Sequence, residues 1–240
     1  MNSENLKQEK VGKLDVLYED NHVIVVVKPQ NIPSQPDASG DVDMLSLVKE
    51  YVKVKYNKAG EAFIGLVHRL DRPTGGIMVF ARNSKSASRL SAQLKDGTLE
   101  KIYYTVTNKC PKEKKGLLVN YIKKDLRENK ASIVPLSEKG AKRAELFYEV
   151  LEEKDKFVLL KIKLQTGRGH QIRLQLANIG CTVYGDAKYS GKNKQISTKN
   201  LALWAGELKF KHPTQDKVLI FKVAPPDETV FSKFDIDKYL

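Results

Sequence analysis

The sequence predicts an α+β fold in which strands outnumber helices, and three observations carry that reading. Short apolar runs rich in Val, Ile, Leu and Tyr recur along the chain and are densest between residues 101 and 164, where Lys, Asp and Gly clusters separate them. Only a few segments show the i, i+3, i+4 apolar spacing of an amphipathic helix. At 240 residues, 41% of them hydrophobic, the chain can bury a core as one large domain or as two closely associated lobes.

In chain order, the polar residues 1–13 predict a disordered tail, followed by one domain over residues 14–240. Asp15 to Asp20 and Val23 to Lys28 read as short strands, and Lys28-Pro29 ends the second. Gln30 to Asp43, rich in Pro, Ser, Gly and Asp, is a loop long enough to be functional or flexible. Met44, Leu47, Val48, Tyr51 and Val52 fall on one helical face behind Asp43 as N-cap. Leu66 to Leu70 predicts a buried strand, Gly75-Gly76 a tight turn, and Ile77 to Ala81 the next strand. Ala87, Leu90 and Leu94 give a second helix, capped by Asn83 or Ser84 and ended by Gly97.

Strands are then expected over Lys101 to Thr107, Leu117 to Ile122, Ala131 to Leu136, Ala144 to Leu151 and Phe157 to Leu164. Ile172, Leu176 and Ile179 line a third helix that Gly180 closes. Val183 to Gly185, Leu201 to Phe210 and Val218 to Val223 add strands, and a short helix follows Pro225-Pro226.

Charge narrows the function. With 42 basic and 29 acidic residues the net charge is +13, which predicts a polyanionic partner, nucleic acid before membrane, unless the basic surface is merely solvated. No run is long enough to span a bilayer and no signal region opens the chain, so a cytoplasmic protein is expected. Cys110 and Cys181, the only cysteines, read as ordinary thiols. Walker A, GxGxxG, GxSxG and HExxH signatures are absent, and the four histidines are scattered, so no metal site is expected.

Polar residues in unusual places remain. Asp71, flanked by Arg69 and Arg72, sits where a strand runs into a loop. On that stretch alone, a turn or capping aspartate is the commoner reading. Arg168, His170, Gln171 and Arg173 crowd the start of a helix, where backbone amides and guanidinium groups favour an anion. Arg173 follows an apolar Ile172, and a partly buried arginine wants a carboxylate, for which Asp71 is one candidate. In the strand from Lys101, alternate side chains oppose one another, so Tyr103 and Tyr104 face opposite ways. Ile102, Tyr104 and Val106 form the apolar set and are expected to face the core, which would leave Tyr103 in a cleft, although on this strand alone two core or rim tyrosines are the commoner reading.

His68-Arg-Leu-Asp-Arg-Pro-Thr-Gly-Gly, Lys101-Ile-Tyr-Tyr, Thr166-Gly-Arg-Gly-His-Gln-Ile-Arg and Gly185-Asp-Ala-Lys-Tyr stand in an order and at separations that resemble the RluA-type family of RNA pseudouridine synthases. Lys28-Pro29, Leu201-Ala-Leu-Trp-Ala and His212-Pro213 are similar to the same family's outer motifs, so the resemblance runs from about Leu14 to Ala224. It implies a mixed, largely antiparallel sheet in two lobes with flanking helices and a basic cleft, and a monomer acting on structured ribosomal or transfer RNA without a cofactor. It also implies that Asp71 is the catalytic aspartate, that Arg173 pairs with it, and that Tyr103 lies against the target base. Arg69 would enter the space left by the flipped nucleotide, with Arg72, Arg168, His170 and Gln171 also binding RNA. The chain departs from the usual pattern at Gly75, where Ser is commoner, at Trp204, where His is commoner, and at Asn31, where Gly is commoner. No S4-type RNA-binding domain fits in the few residues before Leu14.

The implied chemistry suits these residues. Making pseudouridine breaks the N1 glycosidic bond, turns the base and rebuilds the bond at C5, with no redox change. It needs an ionised carboxylate, a cation to keep it ionised and a group to take the C5 proton, and Asp71, Arg173 and Tyr103 suit those roles. Attack on the sugar and attack on the base are both compatible with the sequence. A non-catalytic RNA-binding protein would have no need of Asp71 and Arg173, and a metal-dependent nuclease would need a carboxylate or histidine cluster.

Overall fold

The computed structural model describes residues 14–125, 127–191 and 200–240, so the expected N-terminal tail, residues 1–13, lies outside them. The described elements are β1 (Val16–Glu19), β2 (Val23–Lys28), α1 (Met44–Lys55), β3 (Gly65–Leu66), β4 (Gly75–Ala81), α2 (Ser84–Asp96), β5 (Glu100–Thr107), β6 (Lys115–Asp125), β7 (Lys130–Val134), β8 (Lys142–Lys154), β9 (Phe157–Leu164), α3 (Gln171–Asn178), β10 (Leu203–Lys211) and β11 (Val218–Lys222). They divide into two compact units, one holding the residues up to Leu99 with Leu208–Lys222, the other Glu100–Glu207 with Val223–Leu240. The fold is α+β, and the ladders β1/β2, β2/β4, β3/β4, β5/β9, β6/β7, β6/β8 and β8/β9 are all antiparallel.

In the first unit every residue of β4 is buried, and Val23 to Val26 of β2 pair with Ala81 to Met78 in register. Apolar side chains on both faces of these two strands explain their unbroken hydrophobic sequence. Two caps behave as the sequence predicts. The Asp43 carboxylate accepts from the Ser46 amide at the start of α1, and Asn83 accepts from the Ser86 amide at the start of α2. Gly97 ends α2 at φ 81, a left-handed conformation that costs glycine little.

Two local expectations are corrected here. The buried strand expected over Leu66 to Leu70 is only Gly65–Leu66. Beyond it, the Ser34 hydroxyl bonds both the N–H and the C=O of Leu70, and His68 Nε2 accepts the Val79 amide. Side chains thus stand in for the missing ladder partners. The turn expected at Gly75-Gly76 lies earlier, at Asp71–Thr74, closed by the Thr74 amide on the Asp71 carbonyl at 2.9 Å. Gly75 and Gly76 already belong to β4, although Gly76 needs its glycine at φ 120.

In the second unit the strand order is β5-β9-β8-β6-β7. Register fixes which face each residue shares. Tyr103 pairs with Ile162, Ile162 with Tyr148, and Tyr148 with Gly116. Ile122 and Ala144 lie on that same face two-residue steps away, and Leu174 of α3 packs against them together with Ala131. Tyr103 therefore shares the face that carries α3, while Tyr104 points to the other. The segment Val183 to Gly185, expected as a strand, forms only an isolated bridge between Val183 and Thr107. The expected C-terminal helix is two short 3-10 turns, Val230–Lys233 and Ile236–Lys238.

Tyr104 is fully buried, and its ring lies over Gly206, where a Cβ would fall 2.5 Å from Cδ2. Gly206→Ala should therefore destabilise the protein by at least about 2 kcal/mol, because ring and backbone must separate. The expected melting temperature falls by roughly 4–8 °C, read by differential scanning calorimetry.

Candidate active site

Asp71 sits in a turn whose backbone is held from several sides. Lys28, buried at the end of β2, extends its ammonium to the carbonyls of Pro29 at 2.9 Å, Ile32 at 2.6 Å and Arg72 at 3.0 Å. Three acceptors match its three protons. Burial pushes the Lys28 ammonium down to about 7, against the pull of the Asp71 carboxylate and with a further push from Arg72. The Gln30 side-chain amide donates to the Pro73 carbonyl, and the Asn31 backbone amide to that of Arg72. Asn31 is at φ 67, a left-handed conformation that glycine and asparagine adopt most readily.

The basic residues beside Asp71 differ. Arg69 is exposed, with Nη1 3.5 Å from Gln35 Oε1. Arg72 is clasped by the loop before α1, through Asp41, Ser39 and both oxygens of Asp37. Ser39 and Arg72 hold the Asp37 carboxyl at about 2, so the clasp is ionic at neutral pH. The loop over residues 30–43 therefore has a specific structural role, since its backbone braces the Asp71 turn and its carboxylates orient Arg72.

In the second unit the Thr166–Gln171 turn is stapled to β8. Gln171, only 2% exposed, accepts from the Thr166 hydroxyl and the Arg168 amide and donates to the Glu145 carbonyl. Arg168 is exposed, and its Nε bonds the Arg143 carbonyl. His170 is buried at φ 58, with Nδ1 2.8 Å from the Tyr189 hydroxyl. The side chains of His170 and Gln171 thus shape the turn from inside, and of this group Arg168 is the exposed one.

Arg173 projects from α3 into a buried ion pair. Its Nε and Nη2 reach the two oxygens of Asp186 at 2.7 Å each. Asp186 also accepts the amides of Lys188 and Tyr189, and the Tyr189 ring packs 5.3 Å from the guanidinium. The geometry is bidentate and fixes the plane of the guanidinium group. Asp186 and Lys28 are the residues that reasoning from the sequence left out of the candidate site. Both belong to motifs visible in the sequence, Gly185-Asp-Ala-Lys-Tyr and Lys28-Pro29, and a single Asp or Lys inside an apolar neighbourhood is the signal that could have raised them.

Tyr103 and Tyr104 are both buried, at 6% and 0% exposure. The hydroxyl of Tyr104 lies 2.6 Å from Glu207 Oε1 and 2.6 Å from the Tyr239 carbonyl, so this phenol is tied into the structure. Burial, with the Glu207 carboxylate, pushes it further from ionisation. Among the described residues no three His, Cys, Asp or Glu side chains are placed to hold a metal ion, and no helix is long and apolar enough to cross a membrane.

The family model for RNA pseudouridylate synthase matches residues 22–178, a span that contains the Asp71 turn, Tyr103, the Thr166–Gln171 turn and Arg173. The chain belongs to this family. It is an isomerase acting on RNA. The uncharacterized RNA pseudouridine synthase YhcT of Bacillus subtilis is 31% identical over 219 residues, 90% of this chain and 70% of the relative. Ribosomal large subunit pseudouridine synthase D of Zymomonas mobilis is 28% identical over 225 residues, 90% of this chain and 70% of that protein. The solved structure of human RNA pseudouridylate synthase domain containing 4 shares the fold, with a TM-score of 0.78 at 22% identity over 93% of this chain and 94% of that one. The sequence motifs pointed to the same RNA pseudouridine synthases.

Removing either buried anchor should unfold the synthase locally or globally. Lys28→Met leaves three carbonyls without their donor and should cost about 2 kcal/mol or more, with loss of turnover. Asp186→Asn leaves the Arg173 guanidinium buried beside a neutral amide and should cost about 3 kcal/mol. Urea titrations of the two variants check both values, and a parent-like midpoint for either refutes its role as an anchor.

Proposed function

We propose that the protein converts uridine to pseudouridine in structured ribosomal or transfer RNA, without a cofactor, using Asp71 as the catalytic carboxylate. The observation that supports this most directly is the bracing of the Asp71 turn. Lys28, Gln30, Asn31 and Ser34 bond the carbonyls or amides of residues 70–73, so the turn that carries the carboxylate is preorganised. In this reading Asp71 adds to the sugar or the base, and Arg173, oriented by Asp186, supplies the cation paired with it. Tyr103 stacks on the uracil and receives the C5 proton.

The base must leave its stack to be isomerised. Exposed Arg69 fits the vacated space, and Arg72 and Arg168 meet the phosphates, while His170 and Gln171 act by holding the turn beneath Arg168. Residues 14–240 serve as one catalytic domain, and a monomer suffices for the chemistry.

Asp71→Asn should lower the single-turnover rate by roughly a thousandfold or more with little change in RNA affinity. Tritium release from 5-tritiated uridine in RNA measures the rate, and retained turnover removes Asp71 from its role. Tyr103→Phe should also slow product formation severely at nearly constant affinity. Tyr104→Phe should cost roughly 1.5–3 kcal/mol of stability, the range for a hydroxyl bond to a carboxylate, and leave the rate of product formation unchanged. The reverse assignment of the two tyrosines would refute the reading. EDTA should leave the rate intact on RNA that folds without divalent cations.

A further inference from the structure

Lys101, at the start of β5, is 9% exposed, yet its ammonium has no hydrogen bond and no ion pair among the described residues. A lysine whose stem is buried this way ordinarily carries its ammonium to a carboxylate. Here it points elsewhere. Its Nζ lies 3.4 Å from the point that a Cβ on Gly167 would occupy. Lys124, an exposed residue of β6, stands on the other glycine of the turn, with Nζ 3.7 Å from the position of a Cβ on Gly169. Its neighbour Lys123 is paired with Glu138, whereas Lys124 has no carboxylate among the described residues.

Between these lysines the Gly167-Arg168-Gly169 turn leads into α3. The amides of Gly167 and Gly169 donate to no acceptor among the described residues, and the N-cap of α3, His170, makes no side-chain cap bond. Two ammonium groups therefore stand over the two glycines of a turn that leads into a helix N-terminus, on a surface where both side chains are missing. Burial lowers the pKa of Lys101, and an anion bound beside it would raise it again.

We infer that the Gly167–Gly169 turn, with Lys101 and Lys124 at its sides, binds one phosphodiester of the RNA backbone, and that Lys101 supplies most of its affinity. This rests on the reading of RNA as substrate and adds a contact that orients the strand without reading its sequence. Because Lys101 lies two residues before Tyr103 on the same face of β5, a phosphate held there is registered against the proposed catalytic tyrosine.

The test uses the full chain and ribosomal RNA from a strain that lacks the protein. Equilibrium binding is measured for the parent, Lys101→Met and Gly167→Ala between low and moderate salt, together with melting temperatures and pseudouridine content. Lys101→Met should weaken binding roughly three- to tenfold and flatten the plot of log affinity against log salt by about one unit. Its melting temperature should be little changed, because the ammonium makes no hydrogen bond that methionine would remove. Gly167→Ala, at a backbone φ open to alanine and with Lys101 Nζ as its nearest contact, should weaken binding in the same direction. Parent-like affinity and salt slope in both variants overturn the site, as does a fall in melting temperature with an unchanged slope. If Lys101→Met fails to fold, Gly167→Ala decides the question. A parent that binds RNA but makes no pseudouridine overturns the functional reading alone, since the salt slopes still report on the phosphate site.

Discussion

The Lys28 ammonium is the interaction on which the candidate catalytic loop depends. Strand β2 ends at that residue, the chain then leaves the sheet, and Pro29 can donate no amide. The carbonyls of Pro29 and Ile32 on one segment and of Arg72 on another would face a buried region without a donor. One ammonium satisfies all three and joins segments more than forty positions apart in sequence. Asn31, Gln30 and Ser34 extend the same solution to Arg72, Pro73 and Leu70. A sheet ladder could satisfy those groups too, but it would flatten the chain. Side-chain donors let it turn at Asp71.

The second unit solves a comparable problem with a carboxylate. Asp186 has no exposed side-chain surface, and four donors converge on it: two from Arg173 and the amides of Lys188 and Tyr189. Buried ion pairs are weak sources of stability, because desolvation offsets the attraction. Their value is orientation, since a bidentate pair tolerates little rotation of the guanidinium plane. An arginine held by its Nε and one terminal nitrogen has a fixed direction, which the role proposed for Arg173 requires.

Much of this was legible in the sequence. The caps at Asp43, Asn83 and Gly97 follow from local chemistry, and the opposed faces of Tyr103 and Tyr104 follow from strand alternation. The short β3 and the turn at Asp71–Thr74 did not follow, because Ser34 and His68 replace strand partners over long separations, and periodicity cannot register a side chain that substitutes for a ladder. The Asp186 partner of Arg173 was hidden for a related reason. Composition suggests that a buried arginine needs a carboxylate, but thirteen residues and a turn separate the two, and only tertiary packing joins them. Trp204 is explained only by its fold context, where its indole N–H caps the Val223 carbonyl.

Net charge identified the class of partner but could not locate the contact. Several of the basic residues are already matched at the surface, Lys115 with Glu149, Lys123 with Glu138 and Lys211 with Asp216 among them. Exposed pairs of this kind are weak, and a phosphate can exchange into them at little cost, so they favour RNA broadly without fixing its register. Arg72 is different because two carboxylates and a hydroxyl hold it, so an RNA phosphate would have to compete with the loop that orients it. What distinguishes one basic patch from another is therefore the number of cations left without a counter-charge. The turn between Gly167 and Gly169 is one such place, since Lys101 and Lys124 flank it with no carboxylate among the described residues to neutralise either, and the side chain of Lys101 is also largely buried.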